Sequence, residues 1–297
     1  MNKKFVFFAI LASITGVAEA LPITTISAQI SGPIHSSGPI SAVVGAEPIT
    51  VAADNPSFNY QYTVATATAD SSGNYALSAT ASYRGEATAS YTYSDTITNY
   101  GPLSNSYNLS FHVPRFTIDT HAYCGHVSSW WCGNDTYSES LYDYSVIVNG
   151  ITLFSSSASV RVDRHGSHLD LSNDRFGMIG EAFESTASAT LANAYDGVIS
   201  LGELASGESL SFLLLTSNTT RRFADQVCSD MINDCGASAN AGIGDPLDIT
   251  AQPATFNISP ATAPDNSVPE PATALLLLFP AGLLLHRKTS HTKKQDT

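Results

Sequence analysis

Polar and apolar residues alternate with period two along most of the chain, the pattern of half-buried strands rather than of helices. Tyr60, Tyr62 and Val64 fall on one face of a first segment, with Gln61, Thr63 and Ala65 on the other. A turn cluster, Asp70-Ser71-Ser72-Gly73-Asn74, precedes Tyr75, Leu77, Ala79, Ala81 and Tyr83, again spaced by two. Arg84-Gly85-Glu86 then turns the chain into Ala87, Ala89, Tyr91 and Tyr93, which alternate with Thr88, Ser90, Thr92 and Ser94. These segments predict three strands of a meander with a Thr/Ser face toward solvent. The other face is rich in Ala and Tyr, so its packing is thin except around the rings.

Tyr107, Leu109, Phe111 and Val113 predict a further strand, which Pro114 ends or bends. The clearest hairpin covers 144–154, with Asn149-Gly150 at its tip supplying the two φ > 0 positions of a type I′ turn. Residues 160–163, 198–201 and 210–215 are further strands, the last two joined by the polar connection 202–208. Leu247-Asp248-Ile249 and Phe256-Asn257-Ile258 complete the set. Helix is expected only over 176–183 and 222–232. Many short strands with regular turns predict an all-β fold, an antiparallel β-sandwich in preference to a closed barrel. One enlarged domain over 21–258 is expected, followed by a Pro-bearing linker over 259–267.

Charge narrows the function classes. Lys and Arg number 13 against 26 Asp and Glu, a formal net charge of −13 over 297 residues. Lys occurs only at the ends, at Lys3, Lys4, Lys288, Lys293 and Lys294. Between Leu21 and Ser267 the cations are Arg84, Arg115, Arg161, Arg164, Arg175, Arg221 and Arg222. This argues against a nucleic-acid partner, which requires clustered Lys and Arg along the phosphates. A hydrophobic content of 43% argues equally against a disordered chain.

Residues 1–20 have the three parts of a secretory signal peptide: Lys3-Lys4, an apolar run over 5–17, and the small-x-small site Ala18-Glu19-Ala20. The mature chain is expected to begin at or near Leu21 and to fold outside the cytosol. At the other end Val268-Pro269-Glu270-Pro271 precedes an apolar run over 272–285, interrupted by Pro280, and then His286-Arg287-Lys288. A helix of that length rises about 21 Å against a bilayer core of about 30 Å, which makes a short single-pass anchor. The positive-inside rule keeps Arg287 and Lys288 in the cytoplasm and the body outside.

Val-Pro-Glu-Pro, a short apolar helix and a basic cluster together resemble the PEP-CTERM sorting signal of Gram-negative bacteria, over 268–294. The resemblance implies recognition by an integral-membrane exosortase, removal of the transmembrane helix, and delivery to the cell surface or the extracellular polysaccharide. Its motif residues here are Val268, Pro269, Glu270, Pro271, Arg287 and Lys288. Pro280 and the length of the tail beyond Lys288 depart from the usual pattern. The signal implies nothing about the chemistry of the body.

All four cysteines lie in that body. Cys124 and Cys132 bracket a segment containing Trp130-Trp131, and Cys228 and Cys235 bracket another. In an oxidising compartment two close pairs read as two local disulfides. Three connectivities exist, and loop closure is easiest within each pair. Zinc is the rival for four thiolates, but the Cys-x2-Cys spacing is absent. No metal and no cofactor is expected.

Trp130 and Trp131, with Tyr123 and Tyr137 nearby, are candidates for stacking on sugar faces; the alternative is that the indoles cover an open end of the sandwich. Residues 161–175 concentrate Asp163, His165, His168, Asp170 and Asp174. Asp/His clusters bind metal or supply a general base, and Asp170, Asn173 and Asp174 offer the oxygens that calcium takes. Arg161, Arg164 and Arg175 are interleaved with these acids and neutralise them, so a solvated loop is expected there. His112 falls on the polar side of its strand. No nucleophile elbow, Walker loop or dinucleotide fingerprint occurs. The expected function is that of an exported, non-catalytic surface or matrix protein. A carbohydrate-binding module using Trp130 and Trp131 is the second reading, and a hydrolase with its site near 163–174 the third.

Overall fold

The computed structural model describes residues 22–31, 37–55, 63–82, 85–124, 136–163, 165–223, 235–244 and 253–261. The chain divides into two units, Met1–Pro260 and Ala261–Thr297. The sorting-signal residues belong to the second unit and, like residues 1–20, lie outside the described residues.

The first unit holds every assigned strand. In chain order these are β1 (Ile23–Ser31), β2 (Ser37–Val43), β3 (Ile49–Asn55), β4 (Thr63–Ala69), β5 (Tyr75–Ser82), β6 (Gly85–Thr98), β7 (Asn105–Val113) and β8 (Phe116–Cys124). They continue with β9 (Tyr137–Val148), β10 (Ile151–Asp163), β11 (Gly166–Asn173), β12 (Ile179–Phe183) and β13 (Thr186–Leu191). β14 (Tyr195–Leu204), β15 (Ser209–Phe223), β16 (Cys235–Ile243) and β17 (Thr255–Pro260) complete the set. Among the described residues there is no helix.

Three antiparallel sheets result. Sheet A runs β11-β10-β9-β15-β6-β1-β2, sheet B runs β12-β13-β8-β16-β5-β4-β3, and the three-stranded sheet C runs β14-β7-β17. Sheets A and B face each other in a sandwich-like arrangement. Tyr75 of β5 stacks on Tyr91 of β6 at 4.2 Å between centroids, and Asn218 of β15 donates to the Leu77 carbonyl of β5 at 3.2 Å. Sheet C adds Phe111 and Phe256 to this interior: Phe111 stacks on Tyr144 at 5.3 Å, and Phe256 meets Tyr93 edge-on at 4.6 Å.

The alternation forecasts several strands correctly. Tyr75, Leu77, Ala79 and Ala81 are buried on β5, and Ala87, Ala89 and Tyr91 on β6. Tyr107, Leu109, Phe111 and Val113 are likewise buried on β7, while His112 faces out. The Asn149-Gly150 tip has φ of 49° and 77°, and the hairpin it closes pairs β9 with β10 along its whole length, from Ile151 against Val148 to Asp163 against Tyr137.

Other expectations need correction. β4, β5 and β6 are not a meander: β4 pairs with β5 in sheet B, whereas β6 pairs with β1 and β15 in sheet A. A hairpin and a crossing to the opposite sheet show the same local alternation, and the Ala/Tyr faces of β5 and β6 meet across the interior instead of side by side. On β4 the inward residue is Ala65, not Val64, because the small side chain suits the facing wall. Residues 166–173 are a strand rather than a loop, with Leu169 and Leu171 packed on the core and His168 and Asp170 exposed. The expected helix over 176–183 is absent: Ile179–Phe183 is edge strand β12, pairing with β13. Of 222–232 only Arg222 and Phe223 are described, and they end β15. Residues 247–249 lie outside the described residues. Ser259 and Pro260 belong to β17, opposite Asn108 and Tyr107, so the body extends past the boundary expected at 258.

Candidate functional site

One end of the two large sheets gathers the features singled out in the sequence. Cys124 ends β8 and Tyr137 opens β9; Phe223 ends β15 and Cys235 opens β16. The two cysteine-bearing segments, 125–135 and 224–234, therefore both leave from this end. Trp130, Trp131, Cys132 and Cys228 lie within them, outside the described residues, as do the two local pairings expected from the sequence. Tyr123 is placed by its backbone in β8, opposite Gly236 of β16.

The outer face of sheet A carries a charged row here. Register sets His168 opposite Arg161, Arg161 opposite Glu139, Glu139 opposite Arg221, and Arg221 opposite Glu86, across five strands. Arg221 reaches both acids, Nη1 to Glu139 at 3.4 Å and Nε to Glu86 at 3.5 Å. Arg161 donates through Nε to Asp163 at 3.2 Å, and the His168 ring meets the other Asp163 oxygen at 3.2 Å. One step nearer the end, Phe223 and Asp163 flank Tyr137 in register. The Tyr137 and Phe223 rings lie nearly parallel, 6.4 Å apart, with the Arg161 guanidinium 4.6 Å from the Tyr137 centroid. The Tyr137 ring thus makes a stacking contact with Phe223 and a cation–π contact with Arg161.

The Asp/His segment is divided by this geometry. Burial works against ionisation of Asp163, yet the His165 N–H, the His168 ring and Arg161 together hold its carboxyl below the ordinary range. Asp170 points instead into a shallow groove of about 220 Å³, shared with Asp143, Ser157, Ser159, Ser172 and Asn173. The Ser172 hydroxyl and N–H hold Asp170 low, whereas burial raises Asp143 despite the nearby Arg221. Asp143 and Asp170 stand two strands apart and are offset by two residues along them, opposite Ser157 and Ser159 of β10.

Asp174 takes a different part. Its carboxylate accepts the Tyr142 hydroxyl at 2.5 Å and the backbone N–H groups of Phe176, Gly177 and Met178 at 3.1, 2.9 and 2.6 Å. Those bonds tie down the turn into β12. The calcium trio considered from the sequence is thus separated, with Asp174 spent on the turn and Asp170 and Asn173 on the groove. Among the described residues no group of three His, Cys, Asp or Glu side chains is arranged to hold a metal ion.

Sequence reasoning missed the charged row and the Tyr137–Phe223 pair, since their members come from strands far apart in the chain. It also missed a contact between His112 Nδ1 and Asp196, 2.8 Å on the exposed face of sheet C. Only register could reveal them. Comparison of the chain with protein-family models and with curated proteins finds no match.

Proposed function

We propose that this is an exported, non-catalytic protein of the cell surface or extracellular matrix, sorted by its PEP-CTERM-like C-terminal signal and processed by an exosortase. The observation that supports this reading is the extent of the all-β body, which leaves both end segments outside it. Its first strand begins at Ile23, just after the expected cleavage site, and its last ends at Pro260, before Val268. An acidic body without Lys suits a hydrated polysaccharide. The test is expression in an exosortase-bearing Gram-negative host, with mass spectrometry of the surface and matrix fractions. The expected product starts near Leu21 and lacks the 272–285 helix; a cytoplasmic chain, or an intact tail at the surface, overturns the reading.

The Tyr137–Phe223 pair favours, as a second reading, a body that holds polysaccharide at this end, with Trp130 and Trp131 in the adjoining segment. Aromatic rings stack on the apolar faces of sugars, and Arg161, Glu139 and Arg221 supply hydrogen bonds at the edges. Replacing both Tyr137 and Phe223 by Ala is expected to abolish polysaccharide retention while the fold persists. Unchanged retention in a folded variant removes this reading.

A further inference from the structure

We propose that Cys124 and Cys235 are joined by a disulfide across β8 and β16, in place of the two local bridges that loop length alone favours. β8 and β16 pair without a bulge from Ile118 against Ala241 to Cys124 against Cys235, and the two cysteines are the last aligned pair. Directly opposed residues of an antiparallel ladder have Cα atoms about 4.5 or 5.5 Å apart, depending on the type of pair. Both separations fall within the roughly 4.4–6.8 Å that a disulfide spans. Opposed residues also share one face of a sheet, the further requirement for bridging. Cys124 continues the alternate positions of the buried Phe116, Ile118 and Thr120 and the half-buried Ala122, and Cys235 those of the buried Ile243, Ala241 and Ala239. No turn has to be built to bring Cys124 to Cys235, because the ladder already does so.

The chemistry is a two-electron oxidation that rests on the export reading, since the cytosol keeps thiols reduced. A disulfide oxidant, whether a protein thiol oxidase or a small disulfide, is attacked by one cysteine thiolate to give a mixed disulfide. The second thiolate displaces the oxidant's sulfur. Two S–H bonds are lost and one S–S bond forms, while the oxidant's S–S bond is reduced to two thiols, which take up both electrons and both protons. Cys132 and Cys228 are the two thiols left over.

The decisive experiment is peptide mapping under non-reducing conditions, on two samples of the full chain. The first is purified reduced and oxidised in solution with glutathione disulfide; the second is recovered from the cell surface. A linked peptide pair containing Cys124 and Cys235 in the first sample supports the geometry wherever the protein resides. Linkage of Cys124 to Cys132 or to Cys228, or free Cys124 and Cys235 thiols after oxidation, overturns it. Linkage in solution with free thiols at the surface leaves the bridge supported and counts against export. Reduction of the bridged form is expected to lower the melting midpoint by on the order of 10 °C. In a Cys132→Ser and Cys228→Ser double variant the Cys124–Cys235 link is expected to form unchanged, and its loss there overturns the proposal.

Discussion

The two halves of the interior are built from different chemistry on the same strands. Along β15 the inward positions read Leu210, Phe212, Leu214 and then Thr216, Asn218, Thr220, Arg222, all of them buried. Along β9 they read Val148, Val146, Tyr144 and Tyr142 and then Ser140 and Ser138; the change comes two inward positions later than on β15, with Tyr144 opposite Thr216 and Tyr142 opposite Asn218. The first half is filled by rings. Tyr144 touches Phe111, Phe154 and Phe176 at 5.3, 5.9 and 5.4 Å, and Phe212, Phe256, Tyr93, Tyr91 and Tyr75 form a second group.

In the second half directional bonds join the sheets, although Asn218 Oδ1 and Thr220 Oγ1 are buried without a hydrogen-bond partner among the described residues. Ser140 donates to the Asp119 carbonyl at 2.7 Å, Thr120 bonds Ser138, and Asn218 reaches the Leu77 carbonyl. Short side chains reach across only where the facing walls come close, and the Ala residues of β4, β5, β6 and β16 permit that approach. The ring-filled half lies away from the segments 125–135 and 224–234; the hydrogen-bonded half supports their roots and the charged row. Ring packing is concentrated at one end and the charged row at the other.

Three experiments break or sharpen this contrast. The largest effect is expected from alkali. Burial raises the hydroxyls of Tyr75, Tyr91, Tyr93, Tyr142 and Tyr144 above the ordinary tyrosine value of 10.0. The unfolded chain therefore releases these protons first, and above about pH 10 it binds fewer protons than the folded chain. Stability is fully present below that pH and declines as pH rises toward the folded-state values. Denaturant midpoints measured from pH 8 to 12 should fall steeply above pH 10; a flat profile contradicts a tyrosine-filled interior.

The middle effect compares single residues of the two halves. Tyr144→Ala removes a buried ring with three ring neighbours and is expected to cost about 3–5 kcal/mol. Ser140→Ala removes one hydrogen bond and is expected to cost about 1 kcal/mol. Urea unfolding of both variants checks the ratio, and equal costs would erase the distinction. The smallest effect is expected at the charged row, where Arg221→Ala breaks two partly exposed ion pairs. A change within about 1 kcal/mol, shrinking as salt is added, is the expected result.

Much of β5, β6, β7 and the β9–β10 hairpin was legible in the sequence, because each declares its buried face by local alternation and its turns by Asn-Gly or Pro. β11 and β12 were not. The Leu169/Leu171 alternation is short and embedded among charges, and the segment over 176–183 carries apolar residues without a clear period. The candidate site was legible only as residue types. Asp163 and His168 do meet, but Glu86, Glu139 and Arg221 carry no local mark of belonging together.

By itself the sequence determined the class of fold, since period-two alternation with frequent turns admits little but antiparallel sheet, and it determined which residues of β5, β6 and β7 face inward. It also supplied the two end segments whose reading as signals underlies the proposed destination. Tertiary structure alone decided that β6 leaves its neighbours for the opposite sheet, that Asp174 anchors a turn, and that Cys124 stands opposite Cys235. Alternation specifies a face but not a partner. Partners follow from register, and register is settled by how the inward faces fill the space between two sheets.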